Sequence, residues 1–282
     1  MPAVDGALDE PVAVLRLEPR SRWSSGVPEL WQRRELVFFF IWRDIKVRYK
    51  QTALGAAWAV LQPLVSMVVF SVFFGRLAKV PSSGLPYPVF SLAALVPWSY
   101  FSSAVSTSAS SMVSNANLIG KIYFPRLAAP VASVLGSLVD LGITMVVLFA
   151  VCIGYGYVPG VRALTLPLFV LVAVAAAFGI GSFLAALNVQ YRDVRYVLPF
   201  LLQIWLLITP VAYPSSLVGE PWHTVYALNP MVGVVDGFRW ALLDPTTPIL
   251  ATSLVSAASA LVLLIGGVGW FRRQEQTFAD VI

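Results

Sequence analysis

Long stretches of this chain carry no charge. Gln51 to Gly75, Val80 to Gly120, Ala163 to Tyr191, Tyr196 to Gly219 and Pro245 to Phe271 lack Asp, Glu, Lys and Arg, and Leu127 to Val161 is interrupted by Asp140 alone. Each stretch exceeds the ~20 residues that a helix needs to cross a ~30 Å hydrocarbon core at ~1.5 Å per residue. Six transmembrane helices are therefore predicted, near residues 53–75, 88–112, 127–154, 163–188, 196–213 and 248–271. The interval 80–120 has room for two short helices, but its Ser-rich second half favours one helix with a polar exit.

The segments between the spans are patterned differently. In Glu29 to Lys50 the apolar run Leu36 to Trp42 covers only ~10 Å of helix, too little to span. Its mixture of aromatic and basic residues predicts an amphipathic helix in the membrane interface, with a short soluble helix packed on a partner as the alternative. Asn115 to Pro130, NANLIGKIYFPRLAAP, predicts a short helix across the same face, either a handle for a soluble partner or an ordinary connection. Val225 to Leu243 carries Leu228, Met231, Val232, Val235, Phe238, Trp240 and Leu242, and predicts one or two short helices dipping back towards the membrane.

Composition agrees, with 58% hydrophobic residues, 12% charged residues and a mean hydropathy of +0.79. These values describe an integral membrane protein. A net charge of +5 and a pI near 9.5 would fit nucleic acid binding if the cations shared a soluble surface, but they sit at helix ends. With six spans, 15 Lys and Arg fall on the side of the N-terminus and four on the other: Arg76, Lys79, Arg162 and Arg239. The positive-inside rule then places both termini in the cytoplasm, and Arg43 to Leu64 marks the passage from headgroups to hydrocarbon. Residues 1–28 contain no run suited to a signal peptide and read as a cytoplasmic tail. With Cys152 and His223 each the only residue of its type, neither an intrachain disulfide nor a metal site is expected.

Candidate chemistry is sparse. No GxxxxGK[ST] occurs, so the chain offers no nucleotide site of its own. Asp140 is the one acid inside an expected span, read either as a proton or gating group or as a carboxyl bonded to Ser or Thr of a neighbouring helix. The serines of Ser102 to Asn117 suit close packing or the wall of a polar cavity. Aromatic and amide residues recur in three spans: Trp58, Gln62, Phe70 and Phe74 in the first, Trp98, Tyr100 and Phe101 in the second, Tyr196 and Gln203 in the fifth. Aromatic faces stack on sugar rings and amides satisfy hydroxyls, which suits a polysaccharide conduit, although such residues also anchor helix ends.

Four blocks in order, RDIKVRYKQTALGAAWAVLQPL, NLIGKIYFPRLAAP, YRDVRYVLPFLLQIWLLITPVAYP and LNPMVGVVDGFRWALL, resemble the membrane subunit of ABC-2 type polysaccharide exporters. The resemblance runs from Glu29 to Arg273 and concerns the permeases for lipid-linked O-antigen, teichoic acid and galactan. It implies an all-α integral membrane protein with six transmembrane helices (51–273), an interface helix (29–50), a C-terminal cytoplasmic tail (274–282) and location in the plasma membrane. Two copies would form the channel, and two copies of a separate ATPase subunit would use ATP and Mg, this chain binding no cofactor. Asn115, Leu118, Ile119, Lys121, Tyr123 and Phe124 would form the coupling helix. Trp222, Tyr226, Asn229, Met231, Phe238 and Arg239 would belong to outer gate helices. Arg43, Lys46, Arg48 and Lys50 would meet the diphosphate of a polyprenyl-linked glycan at the inner headgroups, or serve only topology and lipid contact. Competing expectations are an ABC-2 exporter of a drug or small lipid, a polyprenol-handling glycosyltransferase and a passive channel.

Overall fold

The computed structural model describes residues 27–50, 55–119, 125–219, 222–243, 249–275 and Phe278. Most of the expected N-terminal tail and part of the C-terminal tail lie outside them. Among the described residues the chain is helical without strands. The helices are α1 (Val27–Gln32), α2 (Arg34–Lys50), α3 (Gly55–Phe70, continued by a π-helical turn Ser71–Leu77), α4 (Tyr87–Ser114) and α5 (Ala116–Ile119). They continue with α6 (Ala128–Gly154), α7 (Leu166–Gln190), α8 (Val194–Ile208), α9 (Trp222–Tyr226), α10 (Pro230–Leu243) and α11 (Leu250–Gln274).

Five of these are long and apolar enough to cross a membrane, with α3 and its π turn, α4, α6, α7 and α11 matching five of the six expected spans. The sixth differs. The expected helix 196–213 is only α8, which stops at Ile208 after 15 residues, about 22 Å. Pro210 is the reason: it lacks an N–H and pushes the residue before it out of helical geometry, and Thr209 is extended, with ψ 145°. The chain then continues without helix through buried Thr209, Pro210, Val211 and Ala212, where protein rather than lipid surrounds the open backbone.

α4 is the hub of the bundle. Its first half, Val89 to Trp98, is buried on every side, as expected for a helix apolar all round. α7 and α11 cross at backbone contact: a Cβ on Gly267 would collide with the Gly179 carbonyl, and one on Gly179 with the backbone of Leu263. Small residues at such a seam let helices approach closely where the hydrophobic effect gives no drive in lipid. α10 closes the far end, with Gly237 against Phe169 and Gly233 against Ser256, whose Cβ would lie 2.6 Å from a Cβ placed there.

The interface helix is not one-sided as expected. Seven consecutive apolar residues wrap two turns completely, so Phe40 is buried against Ala128 and Ala132 of α6 while Phe38, Phe39 and Trp42 remain exposed. Contacts then advance together along both helices, from Phe40 beside Ala128 to Arg48 and Tyr49 beside Asp140. α2 therefore accompanies the first half of α6.

The near end of the bundle is held by Phe271 and Phe278, edge to face at 5.3 Å, by Arg126 donating to the Glu275 carbonyl, and by Gln190 donating to Gln274 at 2.8 Å.

Candidate functional site

Asp140 accepts hydrogen bonds from the Arg48 guanidinium and the Tyr49 hydroxyl, one on each carboxylate oxygen. The expected Ser or Thr partner is thus replaced by a cation and a phenol from α2, because α2 climbs far enough along α6 to reach mid-helix. Partial burial, and secondarily the bond to Asp140, push the Tyr49 phenol up to about 12, so it remains a donor.

This trio forms part of the wall of a cavity of about 720 Å³ between α2, α3, α4 and α6. Trp58 and Gln62 of α3, Ser99, Tyr100, Ser103 and Thr107 of α4, and Thr144 of α6 complete its polar and aromatic lining. A second groove of about 580 Å³ continues from it, sharing Arg48, Tyr49 and Thr107 and bordered by Ser106, Ser110, Ser111, Ser114 and Asn115. The hydroxyls at 99, 103, 106, 110 and 114 repeat every three or four residues, which puts them on one face of α4. The other face serves packing, with Ser108 pressed against Gly181. Both readings of the serine-rich exit therefore apply, each to its own face.

The remaining channel candidates divide by exposure. Trp58, Gln62, Tyr196 and Gln203 are exposed on α3 and α8. Phe70 and Phe74 lie half-buried, 5.2 Å apart. Trp98 and Phe101 are buried inside the subunit, where Phe101 meets Trp205 edge to face at 5.2 Å. Tyr100 is buried but borders the cavity. Of the headgroup candidates, Arg43 is bound to Asp44 at 2.8 Å and Arg48 to Asp140, while Lys46 and Lys50 are exposed.

In the expected coupling segment, Asn115 bonds back to the Ser111 carbonyl at 2.7 Å and so ends α4. Leu118 packs on the Phe40 cluster and Ile119 closes α5. Lys121, Tyr123 and Phe124 lie outside the described residues.

At the far end, Asn229 is an N-cap for α10: its side-chain oxygen accepts from the Met231 N–H at 3.1 Å, with Pro230 in the first helical position. The same oxygen accepts from Trp205 at 3.0 Å, and the Asn229 amide donates to Thr209 at 3.0 Å, tying the end of α8 to α10. Arg239, counted from sequence among the outer cations, is buried; it donates to the carbonyls of Phe90, Val211 and Tyr213 at 3.0–3.4 Å and sits 3.5 Å over the Phe90 ring. Asp236 lies 3.9 Å away. Burial pushes the Asp236 carboxyl up, against the pull of Arg239. Met231 and Phe238 are core residues, Tyr226 bonds to Tyr213 at 3.0 Å, and Trp222 projects outward.

Tyr49, Ser99 and Thr144 were missed as site residues, while Ser103 and Thr107 were read only as part of a surface suited to packing or a cavity wall. Serine and threonine spaced at helical intervals on α4 were a usable signal; the pairing of residue 140 with residues 48 and 49 left none in a single sequence.

The profile of the ABC-2 type transporter family matches residues 35–243, the stretch from the start of α2 to the end of α10 that contains the cavity. The chain belongs to the ABC-2 type transporter family. Members of this family are the membrane components of transporters, which agrees with the lack of a nucleotide motif. This ABC-2 chain is 29% identical over 259 residues to the O-antigen export system permease protein RfbA of Myxococcus xanthus, covering 91% of this chain and 98% of the relative. It is 26% identical over 241 residues to the O-antigen export system permease protein RfbA of Klebsiella pneumoniae, covering 85% and 92%. With the polysialic acid transport protein KpsM of Escherichia coli it shares 23% over 235 residues, covering 83% and 91%.

Proposed function

We propose that this chain is the permease of an ATP-driven exporter that moves a polyprenyl-diphosphate-linked polysaccharide across the plasma membrane. The observation that carries this reading is similarity along nearly the full length to permeases named for O-antigen and polysialic acid. Two copies form the conduit, and two copies of a separate ATPase subunit supply the energy. Support for the dimer comes from α3 and α8, spanning or near-spanning helices that the subunit's own chain barely covers: Leu61, Val65, Val68 and Phe73 of α3 and Tyr196, Phe200, Leu207 and Ile208 of α8 are all exposed.

In the mechanism, nucleotide-driven closure of the ATPase pair pushes on the segment around α5, which packs against α2 through Leu118 and the Phe40 cluster. α2 carries the push towards α3, and separation of α3 and α8 between the copies opens the path. The exposed Lys46 and Lys50 attract the diphosphate at the inner headgroups, with both termini in the cytoplasm. α9 and α10 bound the outer mouth.

The test is reconstitution in sealed vesicles with its partner ATPase subunit. Uptake of a polyprenyl-diphosphate glycan that requires ATP and both subunits is the expected result. Transport by the isolated chain, or ATP-driven movement of small lipids with no glycan transport, overturns the proposal.

A further inference from the structure

We infer that the cavity between α2, α3, α4 and α6 is a binding site, within a single subunit, for an uncharged sugar residue of a membrane-anchored glycan. The inference rests on the polysaccharide reading and adds a location and a charge preference to it.

The size is suitable, since about 720 Å³ lies within the ~300–1,000 Å³ of small-molecule sites. The chemistry is that of a polyol site. Asp140 uses one lone pair on each oxygen for Arg48 and Tyr49 and keeps acceptor capacity, while Arg48 commits one of its five N–H donors to that contact. Thr107 and Thr144 donate to the carbonyls of Ser103 and Leu141 at 2.8 and 3.0 Å, which turns their remaining lone pairs into acceptors for a ligand. Gln62 brings both a donor and an acceptor. Trp58 supplies an exposed flat face, and Ala59, Pro63 and Leu141 supply apolar wall for the carbon skeleton.

The charge balance argues against a phosphate. The Arg48 cation is answered by the Asp140 carboxylate at contact, so an incoming anion would meet a like charge in the same wall. A hydroxyl instead can accept from Arg48 and donate to Asp140 at once. The adjoining groove extends the same surface: Ser111, 4% exposed in its wall, has a hydroxyl with no hydrogen-bond partner. The groove's volume of about 580 Å³ leaves room for a second ring.

Photolabelling of the full complex in lipid nanodiscs tests this. Ser103 is replaced by benzoylphenylalanine, with Val146 on the exposed side of α6 as the control position. Three probes are compared: a decyl disaccharide, decyl diphosphate, and a decyl-diphosphate disaccharide. Position 103 should be labelled by both sugar probes roughly tenfold more than by decyl diphosphate, the ratio that a few net hydrogen bonds provide. Asp140→Asn and Gln62→Leu should each lower sugar labelling several-fold; Gln62 is exposed, so that variant decides the matter if Asp140→Asn does not fold. Labelling by decyl diphosphate alone at the same level overturns the inference in favour of an anion site. Sugar labelling no higher than at Val146, or unchanged in both variants, overturns it outright. If vesicles still export glycan in that case, the export reading stands and only the cavity assignment falls; silence in both assays removes both.

Discussion

Two arginine–aspartate pairs, one near the far end of the bundle and one midway along α6, have surroundings that give them different duties. Arg239 and Asp236, with side chains 5% and 13% exposed, sit where α4, α10 and the non-helical segment after α8 converge. Three main-chain carbonyls and an aromatic ring hold the guanidinium, and the adjoining space of about 30 Å³ is too small for a sugar ring. Arg48 and Asp140 are 34% and 25% exposed and border a cavity with unspent donors and acceptors. The same residue types thus make a clamp in one place and a receptive surface in the other, and the number of protein partners distinguishes them.

The largest effect is expected at the clamp. Arg239→Met should destabilise the detergent-solubilised protein by about 3–5 kcal/mol, because it leaves a buried carboxylate and three carbonyls without their partner. Arg239→Lys should rescue little of this, since an ammonium cannot reproduce a planar fork reaching three acceptors. Thermal unfolding of both variants measures it, and a loss below about 1 kcal/mol for the methionine variant would remove the contrast between the pairs.

Next comes Gly267→Ala, which tests whether the buried half of the molecule is as rigid as the clamp implies. The added methyl meets the Gly179 carbonyl, and overpacking of about 1–3 kcal/mol is expected in the same assay. Wild-type stability would mean that α7 and α11 can separate freely.

A smaller value is expected at the cavity. A double-mutant cycle with Arg48→Met and Asp140→Leu should return a coupling of only about 0.2–1 kcal/mol, as for a solvent-accessible pair. Coupling of 3 kcal/mol or more would make this pair a clamp as well.

The smallest effect concerns pH. The Tyr49 phenol is raised in the folded protein, so its contribution is fully present below the ordinary value near 10 and is lost as pH rises through about 12. The phenolate absorbance difference between wild type and Tyr49→Phe should therefore titrate near pH 12, and titration near pH 10 would show that Tyr49 does not hold Asp140 in solution.

Five of the spans were legible because hydrocarbon tolerates only long apolar helices, a demand visible in any window of the sequence. The early end of α8 was not read, although Pro210 announces it, because the run of apolar residues beyond it favoured a longer helix. Burial of α4 against exposure of α3 was not: both are apolar, yet 78% of the spanning window is buried in one and 6% in the other, because membrane sequences look alike whether they face lipid or protein. For the same reason Trp98 and Trp58 could not be separated by type, although one lies in the core and the other beside the cavity. Arg239 was read as an outer cation, but a cation in an apolar helix gives no sign of the carbonyls that will surround it.

The Arg48–Asp140 contact also bears on how the chain enters the bilayer. The partners are 92 residues apart, and the arginine is made first. A carboxylate at the middle of an inserting helix costs about 2.5–3.5 kcal/mol, enough to slow or misdirect its integration. By the time α6 leaves the translocation machinery, α2 and its guanidinium have already been synthesised. α2 is thereby in place to aid the insertion of a span made much later, and Arg48→Met should raise the fraction of chains whose third span fails to integrate during synthesis.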